Sequence, residues 1–403
     1  MTQDSLSSSA PALTDHARRR AMAALLSVSL GAGLMIGITM PLMSLLLELR
    51  GTDTLLIGLN AAMSTFAILL TGPFLPLAIR RFGTLPVMYL SIVFGIAVLL
   101  AMPVFTSLGA WFVLRFALGI SVGIAWIASE AWLNAIVTDR NRGKMLGLYV
   151  TCFAGGFALG PVIVGTVGLE GPVPFLIAAA ILGASALPLP LARRALPPVP
   201  SHAAGNILRL MLLAPTIMLA AAISGLSDAT VFALLPVYAL RVGFAPETAV
   251  LLLSTFLAGN LALQVPLGWL ADRMNRRLLL AICGAAGVLG PMAVAAALGT
   301  PLGTWLVWPL LFAWGGVVMG VYTIGLCMLA ERFDAATLSG ANAAFVMLYS
   351  LGSMSGPVLG GGAMTLWDPH GVLVFGAGAS LLFLLIVLAR AWFRSREVRI
   401  RPD

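Results

Sequence analysis

The sequence predicts an all-α membrane protein of 12 transmembrane helices in two six-helix pseudo-symmetric halves. Three observations predict it. Of 403 residues, 60% are hydrophobic and only 9% are charged, against about 25% charged in a soluble domain. The apolar residues fall in runs long enough to cross a bilayer, which takes about 20 residues as a helix. The spacing of glycine motifs also repeats between the two halves of the chain.

Breaks at charges, Pro and Gly divide the first half into spans 21–48, 54–79, 84–105, 108–137, 143–168 and 172–193. The second half divides into 210–240, 246–271, 277–298, 302–332, 337–366 and 370–393. Residues 1–20 form an N-terminal tail, 194–209 a linker rich in Pro and Gly, and 394–403 a C-terminal tail. Arg18–Arg20 before an apolar run imitates a signal peptide, but a signal core is 7–15 residues. This run continues to Glu48, so an uncleaved first helix is expected. No loop is long enough to hold a soluble catalytic domain.

Basic residues set the expected orientation. With the N-terminus in the cytoplasm, 20 of 23 Lys and Arg fall on the inner side, only Arg50 and Arg241 on the outer side, and Arg115 within a span. Such a bias places both termini inside, and compact loops fit a bacterial inner membrane. The net charge of +8 is therefore topology, not a nucleic-acid footprint.

Other classes fall away in turn. Three cysteines, Cys152, Cys283 and Cys327, all within apolar runs, cannot staple a chain this size. No metal-spaced Cys/His set exists, and no P-loop, so neither metal nor ATP chemistry is expected, and no cofactor. Gly119-x-Ser121-x-Gly123 matches a nucleophile-elbow string but lacks the preceding strand and a membrane His. The chain is not expected to be an enzyme. An ion gradient, or the solute's own, remains as the energy source.

The repeat is specific. Gly156-x-x-x-Gly160-Pro161 in span 5 matches Gly352-x-x-x-Gly356-Pro357 in span 11, 196 residues later. Gly119-x-x-x-Gly123 in span 4 matches Gly316-x-x-x-Gly320 in span 10, 197 later. Close helix packing explains each motif singly. Two motifs in one order at nearly one offset point to like halves, the architecture of many secondary transporters.

Three stretches make the chain resemble the major facilitator superfamily over its full length. Gly268-Trp-Leu-Ala-Asp272-Arg273-Met-Asn-Arg276-Arg277 is similar to that family's cytoplasmic loop motif. Arg115-Phe-Ala-Leu-Gly119 resembles its intramembrane Arg motif, and Gly156 to Gly165 its proton-exchanging exporter motif. The resemblance implies rocker-like alternating access. It implies that Gly268, Asp272, Arg273 and Arg276, with Gly156, Gly160, Pro161, Gly356 and Pro357, serve gating. Asp272 is expected to accept hydrogen bonds from a neighbouring helix N-terminus, span 11 with Thr337 or Ser339 as cap, and from Arg273 or Arg276. The first half has Arg80 where the acid belongs, so Asp139 or another acid would have to serve there.

Ionisable groups inside a membrane are functional hypotheses by default. Span 4 carries Arg115 and Glu130, and span 7 carries Asp228. At 100° per residue, Trp126 lies about 20°, Glu130 about 60° and Asn134 about 100° from Arg115, so these share one stripe. Arg115 and Glu130 are about 22 Å apart along the axis and cannot pair. Glu130 and Asp228 are the candidate proton carriers, since a carboxylate held in low dielectric can travel as a neutral acid. Arg115 is expected either to hold an anionic solute group or to pair with Asp228. Glu331, near the inner end of span 10, is read as a partner for Arg332 or a neighbouring loop.

Trp126, Trp314 and Tyr322, with Asn134, Asn260 and Gln264, are candidate cavity residues, because aromatic faces suit flat organic solutes. The expected partners are therefore a small-molecule solute, protons and the lipid bilayer, with no nucleic acid and a monomeric chain. The leading expectation is proton-coupled export of an amphipathic or aromatic solute. Import of an aromatic nutrient, such as a flavin-type vitamin, is the alternative, and a non-transporting receptor or assembly protein the remote one.

Overall fold

The computed structural model describes residues 15–137, 142–195 and 207–400. Asp139, His202, most of the linker and the first 14 residues lie outside the described residues. Among the described residues every regular element is helical.

Twelve helices are long and apolar enough to cross a membrane. The first six are α1 His16–Leu49, α2 Thr54–Phe82, α3 Thr84–Ala101, α4 Leu108–Ile136, α5 Lys144–Val167 and α6 Val173–Arg193. The second six are α7 Pro215–Arg241, α8 Pro246–Arg273, α9 Arg276–Leu298, α10 Gly303–Arg332, α11 Gly340–Leu366 and α12 Gly371–Arg390. They match the twelve spans read from the sequence, with shifts of a few residues. One of the larger shifts precedes α7, where a separate short helix, Ile207–Leu213, stops before Pro215. Pro at the first helical position restarts the helix there.

Caps fix several ends. The Asp53 side chain accepts from the Leu55 amide, Ser107 from Ala110 and Asn275 from Arg277. The helix that becomes α11 is capped by Asp334, which accepts from the Thr337 amide at 2.9 Å. The cap is therefore Asp334, not Thr337 or Ser339, because the acid precedes the first helical turn.

The sequence repeat is visible as helix pairing. In the first half, a Cβ on Gly156 would collide with the Leu30 carbonyl, at 2.5 Å, and one on Gly160 with the backbone of Gly37. In the second half, Gly352 and Gly356 sit against the carbonyls of Ala222 and Leu226. So α5 packs on α1 as α11 packs on α7. Gly119 lies against Ser64 of α2, and Gly316 against Gly259 of α8. These contacts bring backbones close enough that only Gly fits.

The halves meet most closely towards the arginine-poor face, which carries Arg50 and Arg241. Gly58 of α2 lies against the Pro357 carbonyl of α11. The Thr54 hydroxyl donates to the Gly361 carbonyl at 2.9 Å. In the related position, Ser254 of α8 donates to the Ala158 carbonyl of α5 at 3.2 Å. Arg241 closes this face across the halves, with Glu48 at 2.6 Å on one side and Asp368 at 2.6 Å on the other. Among the described residues, α4 makes no comparable packing on α10 or α11. Glu130, on the arginine-rich half of α4, is exposed. The molecule is closed on the arginine-poor side and parted on the arginine-rich side.

Candidate functional site

A cavity of about 280 Å³ lies between the halves, lined by α1, α2, α4 and α5 from one and α7, α8, α10 and α11 from the other. Its walls are chiefly apolar, among them Met35, Leu118, Phe157, Phe232 and Leu257. Of the stripe predicted on α4, Arg115, Gly119 and Trp126 line it, whereas Glu130 and Asn134 lie off its wall. The Trp126 ring stacks on Phe153, centroids 4.8 Å apart and planes at 17°, and Phe157 meets Phe232 edge-on at 4.8 Å across the halves. A flat ring surface thus forms one wall.

Arg115 is only 3% exposed. One terminal nitrogen donates to the Thr39 carbonyl at 3.4 Å and to the Met43 sulfur at 2.9 Å. Among the described residues no carboxylate pairs with it, so pairing with Asp228 is not observed. Asp228, itself 6% exposed, accepts a hydrogen bond from the Tyr349 hydroxyl at 3.1 Å instead. The reason is geometric: the two charges sit on different helices of different halves, and α11 supplies a nearer donor to Asp228.

Tyr349 joins the parts. It lines the cavity, holds Asp228 and meets the Tyr322 ring edge-on at 5.1 Å. Tyr322 also packs on Phe345 at 5.3 Å. In the first half, the Tyr149 and Ser129 hydroxyls share a hydrogen bond at 2.7 Å, one residue before Glu130. The buried carboxylate, Asp228, therefore stands at the end of a pair of tyrosines, Tyr349 and Tyr322, while Glu130 is open to the parted side. Sequence reasoning missed Tyr349. The available signal was a tyrosine, one of only 5 in the chain, within the Gly-rich stretch of span 11.

The other candidates divide. Asn260 lines the cavity and donates to the Met319 sulfur at 2.5 Å. The Asn134 amide donates to the Glu130 backbone carbonyl at 3.0 Å, outside the cavity wall. Tyr322 borders the cavity only through Tyr349. Trp314 is inside the second half, edge-on to Phe256 at 5.0 Å and against Gly290. Gln264 is half-buried and off the cavity wall. Trp314 and Gln264 thus lie outside the solute cavity, because their helical faces turn towards neighbours of the same half or outwards. Among the described residues, no group of His, Cys, Asp and Glu could hold a metal ion.

The model of the Major Facilitator Superfamily matches residues 25–321 and 217–403. The chain belongs to the Major Facilitator Superfamily. Relatives within the superfamily include the MFS-type transporter YfkF of Bacillus subtilis, 26% identical over 89% of this chain and 93% of its own length. YcaD of Escherichia fergusonii is 25% identical over 79% of this chain and 82% of its own. Among solved superfamily structures, the fold is similar to the nucleoside transporter NupG, with a TM-score of 0.73 at 16% identity, covering 92% of this chain and 98% of that one. A D-xylose-proton symporter aligns with a TM-score of 0.65 at 17% identity, covering 91% and 96%. The protein is a membrane transporter of the superfamily type.

The superfamily loop motif is built as a brace in this state. Arg276 pairs with Asp272 at 3.7 Å and with Glu331 of α10 at 2.7 Å, and donates to the Ala271 and Cys327 carbonyls. Arg273 lies over the Trp269 ring at 3.8 Å. Asp272 is 75% exposed, and among the described residues Arg276 is its ion-pair partner, while Asp334 caps the helix that becomes α11. Of the two partners expected for Glu331, the neighbouring loop motif supplies the one seen, Arg276. Gly268 faces open space, whereas Gly156, Gly160, Gly356 and Pro357 sit at helix contacts.

Proposed function

We propose that the protein is a proton-coupled secondary transporter of a small amphipathic or aromatic organic solute, working as an exporter by alternating access. The single observation that carries the reading is the cavity between the halves, closed at the arginine-poor face, whose wall residue Tyr349 donates to the buried Asp228. The arginine-rich face is then cytoplasmic, with both termini, in a bacterial inner membrane, so a solute would enter the cavity from inside. The ring surface of Trp126, Phe153 and Phe157 supports a flat or amphipathic solute. Glu130 is the proposed point of proton entry and release. Asp228, held by Tyr349, is the buried acid whose charge state the tyrosine pair can sense.

The test uses proteoliposomes loaded with a pH dye and a panel of lipophilic aromatic solutes. Solute-driven proton movement, lost in Glu130→Gln, is the expected result. Movement that survives Glu130→Gln with its pH dependence intact removes the proton role. Uptake of a labelled aromatic vitamin down its own gradient, without proton movement, would make the protein an importer.

A further inference from the structure

We infer that the solute carries one anionic group, a carboxylate or its equivalent, which the Arg115 guanidinium binds inside the cavity. The inference rests on taking the cavity as the solute site. A guanidinium stays charged in proteins and has five N–H donors. At Arg115 one nitrogen is spent on a long bond to the Thr39 carbonyl and on the Met43 sulfur, a weak acceptor. The other donors have no protein acceptor among the described residues. Asp228 is engaged by Tyr349, and Glu130 is about 22 Å along the same helix.

A buried charge is costly unless paired and hydrogen-bonded. Arg115 is 3% exposed and lines the cavity. The site is therefore incomplete in charge without an anion, and a carboxylate can accept two parallel N–H bonds from the planar fork. One cation balances one negative charge, so monoanions fit and dianions do not. The cavity walls further along include Trp126, Phe153 and Met35, which suit a ring or an aliphatic body. About 280 Å³ sits at the lower end of small-molecule pockets, room for one or two fused rings.

The experiment uses the purified full chain in nanodiscs, with naphthoate, naphthamide and a naphthalene dicarboxylate as probes, read by equilibrium binding. Arg115→Met keeps the volume and removes the charge, and its thermal midpoint is read alongside. Wild type should bind naphthoate at least about tenfold more tightly than naphthamide, the scale of a hydrogen bond to a charged group. It should also reject the dicarboxylate. Arg115→Met should lose the preference with its thermal midpoint unchanged or raised, which a structural role for the charge would not allow. Equal binding of naphthoate and naphthamide by wild type, or no binding of either, overturns the inference. So does a preference retained in Arg115→Met. The transport reading is judged separately, by proton movement in proteoliposomes. Movement driven equally by naphthamide would keep transport and discard the anion. An Arg115-dependent preference without any movement would do the reverse.

Discussion

Replacing Arg241 with Gln should shift the molecule towards the conformation open at the arginine-poor face. Arg241 holds Glu48 through two bonds, Nε to Oε1 at 2.6 Å and Nη2 to Oε2 at 3.0 Å. These side chains are 23% and 12% exposed, so the pair is only partly screened. A hydrogen bond to a charged group contributes about 1.5–3 kcal/mol. The second arm, to Asp368, ends on a carboxylate that is 58% exposed, and adds about 0–1 kcal/mol. Glu48 belongs to the first half and Arg241 and Asp368 to the second, so the Glu48 contact is made only while the halves touch here. Losing about 2 kcal/mol corresponds to a population change of about 30-fold. Spin labels at Leu49 and Leu366, both exposed and on opposite halves, read this as a distance distribution. The longer-distance population should rise, and Glu48→Gln should move it the same way. An unchanged distribution in both variants would refute the argument that this pair holds the face shut.

Other outcomes follow from the same geometry. Gly58→Val would force the side chain onto the Pro357 carbonyl across the halves, and should lengthen the same spin-label distance. Gly156→Val strikes the Leu30 carbonyl within one half, and should instead lower the thermal midpoint and yield. Tyr349→Phe removes the hydroxyl that donates to Asp228. Solute-driven proton flux should fall about tenfold or more, as for loss of a bond to a charged group, with solute binding kept. Trp314→Phe should destabilise the second half, measured by thermal unfolding, and leave solute preference unchanged, since the ring packs on Phe256 away from the cavity.

The helices and their pairing were legible because membrane spans obey a one-dimensional rule, apolar length, and because the Gly motifs recur at a fixed offset. The angular reading of α4 held for Arg115 and Trp126, which a straight helix keeps on one face, but not for Glu130 and Asn134, which lie off the cavity wall. What could not be read was the partner across a gap. Tyr349 reaches Asp228 from a residue 121 positions away. Trp314 and Trp126 look alike in a Gly-rich span. Only the packing of α10 on α8 and α9, with the Trp314 ring against Phe256 and Gly290, turns one inward to its own half. Arg276 showed the same limit: its pairing with Asp272 was read from the motif, but not that Glu331, 55 positions on, would be its shorter partner.

The charged clusters at the two faces differ in a way that assigns them different work. Arg276, Asp272 and Glu331 all belong to the second half. A rocking of one half against the other leaves their distances unchanged, so they can brace α8, α9 and α10 but cannot themselves favour this state. Arg241 and Glu48 belong to opposite halves, and their distance must change. Backbone contacts at Gly37 with Gly160, and at Gly356 with Leu226, fix α1 on α5 and α7 on α11. Close-packed pairs of this kind move as units. Motion is then confined to the seams between the halves, α2 with α11, α5 with α8 and α1 with α7. Arg276→Gln should accordingly lower the thermal midpoint of the described state with little change in the distance between labels at Leu49 and Leu366. A conformational shift as large as that of Arg241→Gln would instead mean that Arg276 has a second partner in the other half when the arginine-rich face closes.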